Sequence, residues 1–132
     1  MLLVGGGHAH VAVLADWVRR GPPAAARRVL LTPEPALRYS GMVPGWLAGQ
    51  HAEDEGVVDL GALAARAGAE LVLDRCAALD PDARVVTTAA GGRIAFDIAS
   101  FDTGGEGQGA ALLGADPRLL EVRPIGAFVQ RL

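Results

Sequence analysis

Four apolar residues, Met1–Val4, run directly into Gly5-Gly6-Gly7, and helical spacing begins at Ala9. A short unbroken apolar run suits a strand of a parallel sheet that is covered on both faces. Three glycines after it predict a tight turn, and the residues beyond predict an amphipathic helix. Val11, Leu14 and Val18, with Ala15, share one helical face. Arg19 and Arg20 fall in the last turn, where cations suit the helix dipole, and Gly21-Pro22-Pro23 stops the helix. Arg28–Thr32 (RVLLT) reads as a second buried strand. Strand, glycine turn, helix and strand in this order have the size of a right-handed βαβ unit.

The rest of the chain is read more coarsely. Residues 33–56 predict a loop or short-helix segment, ordered rather than disordered because it carries Tyr39, Met42, Pro44 and Trp46. Asp59 is positioned to cap a helix over Leu60–Ala67, with Gly68 as its stop. Glu70–Asp74 (ELVLD) predicts a third strand. Ala83–Thr88 and Arg93–Phe96 predict an antiparallel pair turning at Gly91-Gly92, and Asp97–Asp102 a further strand that ends in Thr103-Gly104-Gly105. Residues 106–118 read as loop, and Leu119–Leu132 as a strand with a short helical end.

Composition narrows the class. A chain of 132 residues with 51% hydrophobic residues has room for one domain with a real core. A net charge of −3 offers no electrostatic footprint for nucleic acid or for an anionic membrane surface. All twelve basic residues are Arg, so Schiff-base chemistry and Lys-dependent phosphate loops are excluded. One cysteine, Cys76, gives neither a disulfide framework nor a redox pair, which predicts a reduced, cytoplasmic setting. No apolar run is long enough to span a bilayer, and the apolar start, broken by glycines after four residues and without a basic n-region, does not read as a signal peptide.

The glycine turn has the form of a dinucleotide fingerprint. In G-x-G-x-x-G the glycines let a pyrophosphate approach a helix N-terminus, whose unpaired N–H groups and dipole hold the anion. Here the pattern reads Gly5, Gly7 and then His10, so the third glycine is replaced. A plain glycine-rich turn is the competing reading. The position that normally carries a ribose-binding acid, at the end of the second strand, is Thr32; Glu34 lies two residues on and is either its substitute or a solvated surface acid. His8, His10 and His51 lack the partners a zinc site needs, so no metal is expected. His51, Glu53, Asp54 and Glu55 read as a solvated loop, Cys76 as a small buried hydrophobe, and Trp17 as packing.

Three segments carry a family resemblance: VGGGHAHVAVL, LLTPEPALRYSGMVPG and FDIASFDTGG. Together they resemble the pyridine nucleotide-disulfide oxidoreductase superfamily, and more narrowly the NADH dehydrogenase-like FAD domains, including those fused to selenide, water dikinase. The resemblance covers residues 2–126. It implies an α/β fold: a Rossmann-like FAD/NAD(P)-binding domain, with a parallel sheet, helices and a small antiparallel β-meander. It also implies that FAD is the cofactor. The pyrophosphate would lie over Gly5, Gly7 and the helix start at Ala9 and His10, with His8 and His10 lining the loop. The adenosine ribose would meet Thr32, Pro33 and Glu34, and the adenine the backbone near Ala77. Ser40–Pro44 would pass the flavin end, and Thr103 and Gly104 would form the turn that closes over the cofactor, with Asp102 where Ala is common.

The departures from the family are equally specific. Its members carry an NAD(P)H domain inserted into the FAD domain, followed by a C-terminal FAD piece. No second G-x-G-x-x-G follows here. The expectation is therefore a single FAD-binding subdomain over residues 1–132, incomplete relative to the family, which engages NAD(P)H only if the missing domain is supplied. No side chain is identified as catalytic, and the chain alone is expected to lack full oxidoreductase activity. Exposed apolar surface near Ser40–Trp46 and on the tail is expected to favour self-association. Two other readings stay open: a non-catalytic nucleotide-binding module and a nicotinamide-binding dehydrogenase subdomain, the latter weakened by Thr32.

Overall fold

The computed structural model describes residues 1–25, 27–105, 107–114 and 116–131. The chain divides into two compact units: Met1–Leu37 with Val58–Thr103, and Arg38–Val57 with Gly104–Leu132.

The larger unit opens with β1 (Leu2–Val4), α1 (His8–Arg20) and β2 (Val29–Thr32), the βαβ unit read from the sequence. A short pair follows, β3 (Ala36–Arg38) with a strand that returns later in the chain. In the smaller unit a 3-10 turn (Ser40–Met42) leads into α2 (Val43–Leu47), which carries Pro44 in its first turn, where the missing N–H costs nothing. Then come β4 (Val57–Asp59), the partner of β3, and α3 (Leu60–Arg66). Asp59 caps α3 as expected: its carboxylate accepts from the Ala62 N–H at 2.9 Å. Next are β5 (Glu70–Leu73), β6 (Cys76–Asp80), β7 (Val85–Thr88), β8 (Arg93–Ala95) and β9 (Ala99–Phe101). Two short helices, α4 (Gly109–Leu113) and α5 (Ile125–Val129), complete the smaller unit.

The main sheet is four-stranded, in the order β5-β2-β1-β9, with each pairing parallel. β1 therefore lies inside, with β2 and β5 on one side and β9 on the other. Strand order reverses beside β1, and in open α/β sheets ligands bind at the carboxyl ends of strands at such a reversal. The second sheet is the antiparallel meander β6-β7-β8.

Side chains alternate across the main sheet with period two and build two cores. Leu2, Val4, Val29 and Leu31 face the meander, where they meet Val86 and Ile94. Leu3 and Leu30 face the helices, where they meet Leu14 of α1 and Leu60, Ala64 and Ala67 of α3. Leu37 and Val58, from the β3–β4 pair, pack against this second core. Both faces are covered, which explains why LLV and VLLT are unbroken apolar runs rather than alternating ones.

The sequence reading needs four corrections. The meander has three strands, not two, because Cys76–Asp80 pairs with β7 although its alanines have poor strand propensity. Residues 36–38 and 57–59 pair as strands within a region read as loop and helix cap. Gly109–Leu113, read as loop, is helical, in keeping with its Ala and Leu content. The tail, read as a strand with a helical end, holds α5 and no strand among its described residues; Pro124 lacks the N–H that a ladder uses, and Leu132 lies outside the described residues.

In the smaller unit the Arg38 guanidinium sits 5.9 Å from the Trp46 ring centroid and donates to the Glu53 carbonyl. His51 pairs with Glu55 at 3.4 Å, so the acidic run is a solvated loop with local partners. No helix among the described residues is long and apolar enough to cross a membrane.

Candidate functional site

The carboxyl ends of β1, β2, β5 and β9 bring most of the predicted residues together in the larger unit. After Val4 the chain turns sharply. The Gly5 N–H still donates to the Leu31 carbonyl at 2.7 Å, and Asp102, just past β9, donates its N–H to the Val4 carbonyl at 2.8 Å. The two turns thus run against each other.

The glycines are required first by the protein's own packing. Gly5 has φ +95°, and a Cβ there would lie 2.1 Å from the Asp102 carbonyl oxygen. At Gly6 it would lie 2.4 Å from Leu60 Cδ1, and at Gly7 2.3 Å from the Asp102 carboxylate. Close approach of a ligand is therefore not the only reason for three glycines in a row.

The N-terminus of α1 has no local cap: Gly7 offers no side chain, and the first turn holds no acid. Asp102 supplies one from the far end of the chain. Its Oδ2 accepts from the Ala9 N–H at 2.9 Å and from the His10 N–H at 3.3 Å. Among the described residues none accepts from the N–H of Gly6 or Gly7.

His10 occupies the place of the third fingerprint glycine, and its ring faces the protein interior. It is 2% exposed. Nδ1 lies 2.6 Å from the Gly5 carbonyl, and Nε2 lies 3.0 Å from Ser100 Oγ on β9. A carbonyl only accepts, so Nδ1 carries the proton; in that tautomer Nε2 accepts from the Ser100 hydroxyl. The ring fastens the loop to β9, and what His10 turns toward the helix end is its backbone N–H. His8 and Ala9 are exposed at the helix start.

At the end of β2, Thr32 is 3% exposed and its Oγ1 lies 3.4 Å from the Glu34 nitrogen. Its hydroxyl is turned onto the Glu34 backbone, whereas the side chains of Pro33 and Glu34 are exposed. Of the two side chains, Glu34 is exposed and Thr32 is buried. After β5, Asp74 ties the sheet to the meander. The Thr88 side chain, then the Arg75 and Ala90 N–H groups, hold its carboxyl below the usual carboxylate range. The ladder of β6 with β7 slips between Cys76 and Ala78, leaving Ala77 as the extra residue of a β-bulge. A bulge residue stands outside the pairing ladder, which suits a backbone contact with a base. Thr103 is exposed at the end of the β9 turn. Pro44 and Gly104 belong to the smaller unit, where both are exposed.

Family models and curated proteins give no match to this chain. Solved structures do. Sulfide:quinone oxidoreductase from the hyperthermophilic bacterium Aquifex aeolicus matches 78% of this chain with a TM-score of 0.67 and 26% identity, over 24% of its own length. The chain has a Rossmann-like dinucleotide-binding fold. NADH:rubredoxin oxidoreductase from Clostridium acetobutylicum matches the same share with a TM-score of 0.59 and 15% identity, over 27% of its length. A ferredoxin reductase from Rhodopseudomonas palustris does so with a TM-score of 0.57 and 24% identity, over 26% of its length. This Rossmann-like chain thus spans about a quarter of each of these oxidoreductases. Their likeness supports the superfamily that the sequence resembles.

A dinucleotide fits the backbone of this Rossmann site in part. The turn, the strand order and the Gly6 and Gly7 N–H groups suit a diphosphate, but the first-turn donors of α1 are engaged by Asp102. Sequence reasoning noted Asp102 without giving it a role. The signal was present: a helix with a glycine cap and no acid in its first turn, and an acid at the end of the strand beside it.

Proposed function

We propose that this chain is the N-terminal FAD-binding portion of an NAD(P)H-dependent flavoprotein oxidoreductase of the NADH dehydrogenase-like type. The observation that carries the reading is the glycine turn and α1 N-terminus at the point where strand order reverses beside β1. In this reading Gly5, Gly6 and Gly7 shape the diphosphate cradle, and the loop N–H groups with the α1 dipole hold the charge. His10 fixes the loop from behind. Glu34 meets the adenosine ribose, the Ala77 bulge the adenine, and Thr103 closes the turn. FAD, when bound, supplies the electron chemistry, accepting hydride from NAD(P)H and passing electrons to an acceptor.

Two outcomes follow. Purified protein takes up added FAD, seen as yellow colour and as flavin fluorescence on release; protein that stays colourless with excess FAD refutes the reading. The 132-residue chain by itself oxidises NADH at background rate with an artificial acceptor, since it spans about a quarter of the oxidoreductases it resembles. Turnover well above background would overturn that expectation.

The reading extends to self-association. Tyr39 and Leu47 are exposed around the 40–46 segment, and Leu112, Leu113, Leu120 and Val122 on the tail. Exposed large apolar side chains favour association where they form a patch. Light scattering across a dilution series is expected to show a mass that rises with concentration, and a constant monomer mass would rule this out.

A further inference from the structure

The Asp102 carboxylate sits at the N-terminal N–H groups of α1. Helix N-termini bind anions because unpaired N–H groups and the positive dipole end point outward together. In this chain two of those N–H groups, from Ala9 and His10, already have an anion, held 2.9 and 3.3 Å away. The anion is anchored on the chain. The neighbouring backbone bond from the Asp102 N–H to the Val4 carbonyl, 2.8 Å, places the Asp102 Cα beside the loop. The carboxylate also fills the space over Gly7, within 2.3 Å of where a Cβ would stand. It is therefore both a charge and an obstacle at one spot.

We propose that Asp102 is an autoinhibitory contact: its carboxylate competes with the diphosphate of the ligand and must swing away from Ala9 and His10 before the ligand engages α1. This rests on the dinucleotide reading of the site. The backbone anchor of Asp102 lies in its N–H, so its side chain can rotate away while β9 stays paired. The state with Asp102 on the helix is then a closed state, and the apparent affinity for ligand falls in proportion to its population. Ligands that engage α1 through phosphate should feel this penalty, whereas adenosine, which has none, should not.

The test compares the parent chain with Asp102→Asn, which keeps an acceptor but removes the charge, and Asp102→Ala, which removes both. Binding of FAD, inorganic diphosphate and adenosine is measured by calorimetry, with circular dichroism checking the fold. A helix-end charge contact of this kind corresponds to about a 10-fold change in affinity, so FAD and diphosphate are expected to bind the variants about 10-fold tighter, with adenosine unchanged. FAD binding that is equal or weaker in both variants overturns the inference and leaves the dinucleotide reading standing. Tighter diphosphate binding with no FAD binding by any form keeps Asp102 as a competitor and refutes the FAD reading. No binding of FAD or diphosphate by any form refutes both. Should the variants fail to fold, the parent chain still decides the matter: its Ala9 and His10 amide resonances must shift on saturation with diphosphate, and their constancy overturns the proposal.

Discussion

Gly5→Ala is expected to be the most damaging single substitution in the chain, costing upwards of about 3 kcal/mol of folding stability. Two independent penalties combine. An alanine at φ +95° is strained whatever its surroundings. Its Cβ would also lie 2.1 Å from the Asp102 carbonyl oxygen, 2.5 Å from the Asp102 carbonyl carbon and 2.7 Å from Thr103 Cα. These are backbone atoms of a turn held to β1 by a hydrogen bond, so no side chain can yield. Gly21→Ala separates the two terms, because Gly21 has φ +89° and nothing within 4 Å of a new Cβ. It should cost only about 1 kcal/mol. Urea unfolding of both variants measures the difference. Equal losses would mean that the β9 turn moves aside freely, and the crowding argument would fail.

His10→Leu is expected to cost about 1–3 kcal/mol, the second-largest loss. The leucine would sit in a site 2% exposed, so the apolar substitution itself is tolerated. The loss lies in what it leaves behind: the Gly5 carbonyl without its donor at 2.6 Å, and the Ser100 hydroxyl without its acceptor at 3.0 Å. The Gly5 carbonyl is buried, and stranding it costs about 1–3 kcal/mol, whereas Ser100 is exposed and its hydroxyl turns to water. His10→Asn is the discriminating companion, since its amide nitrogen can stand where Nδ1 stands and keep the Gly5 bond. Asparagine should recover a substantial part of the stability in a thermal melt. If leucine and asparagine lose equally, ring volume rather than hydrogen bonding holds the loop.

His10 also shows what a sequence can and cannot reveal. The turn, the helix and both flanking strands were legible because apolar runs and glycines respond to local rules. The histidine at the third fingerprint position could only be read as a departure or as a ligand-facing group. Its partner Ser100 lies ninety residues away, and nothing local says that the two meet. Asp102 was hidden for the same reason: capping is expected from a residue next to the helix. Strand β6 was missed because CAALD pairs through its backbone with β7, while its side chains carry almost no strand signal. That the Thr32 hydroxyl folds back toward the Glu34 backbone is visible only in the geometry. The failures share one cause, since each depends on a contact between distant parts of the chain.

That distance has a consequence for how the molecule assembles. Strands β1 and β2 join through α1 alone, and β2 and β5 through the stretch that holds β3, α2, β4 and α3. Strand β9 must return across the whole meander to reach β1, and closing so long a segment is entropically slow. Until it arrives, α1 has no acceptor for its first-turn N–H groups and the His10 ring lacks Ser100. The glycine turn is then a frayed end rather than a cradle. The fixed form of the glycine turn is therefore acquired late as the chain folds and is lost as soon as β9 detaches.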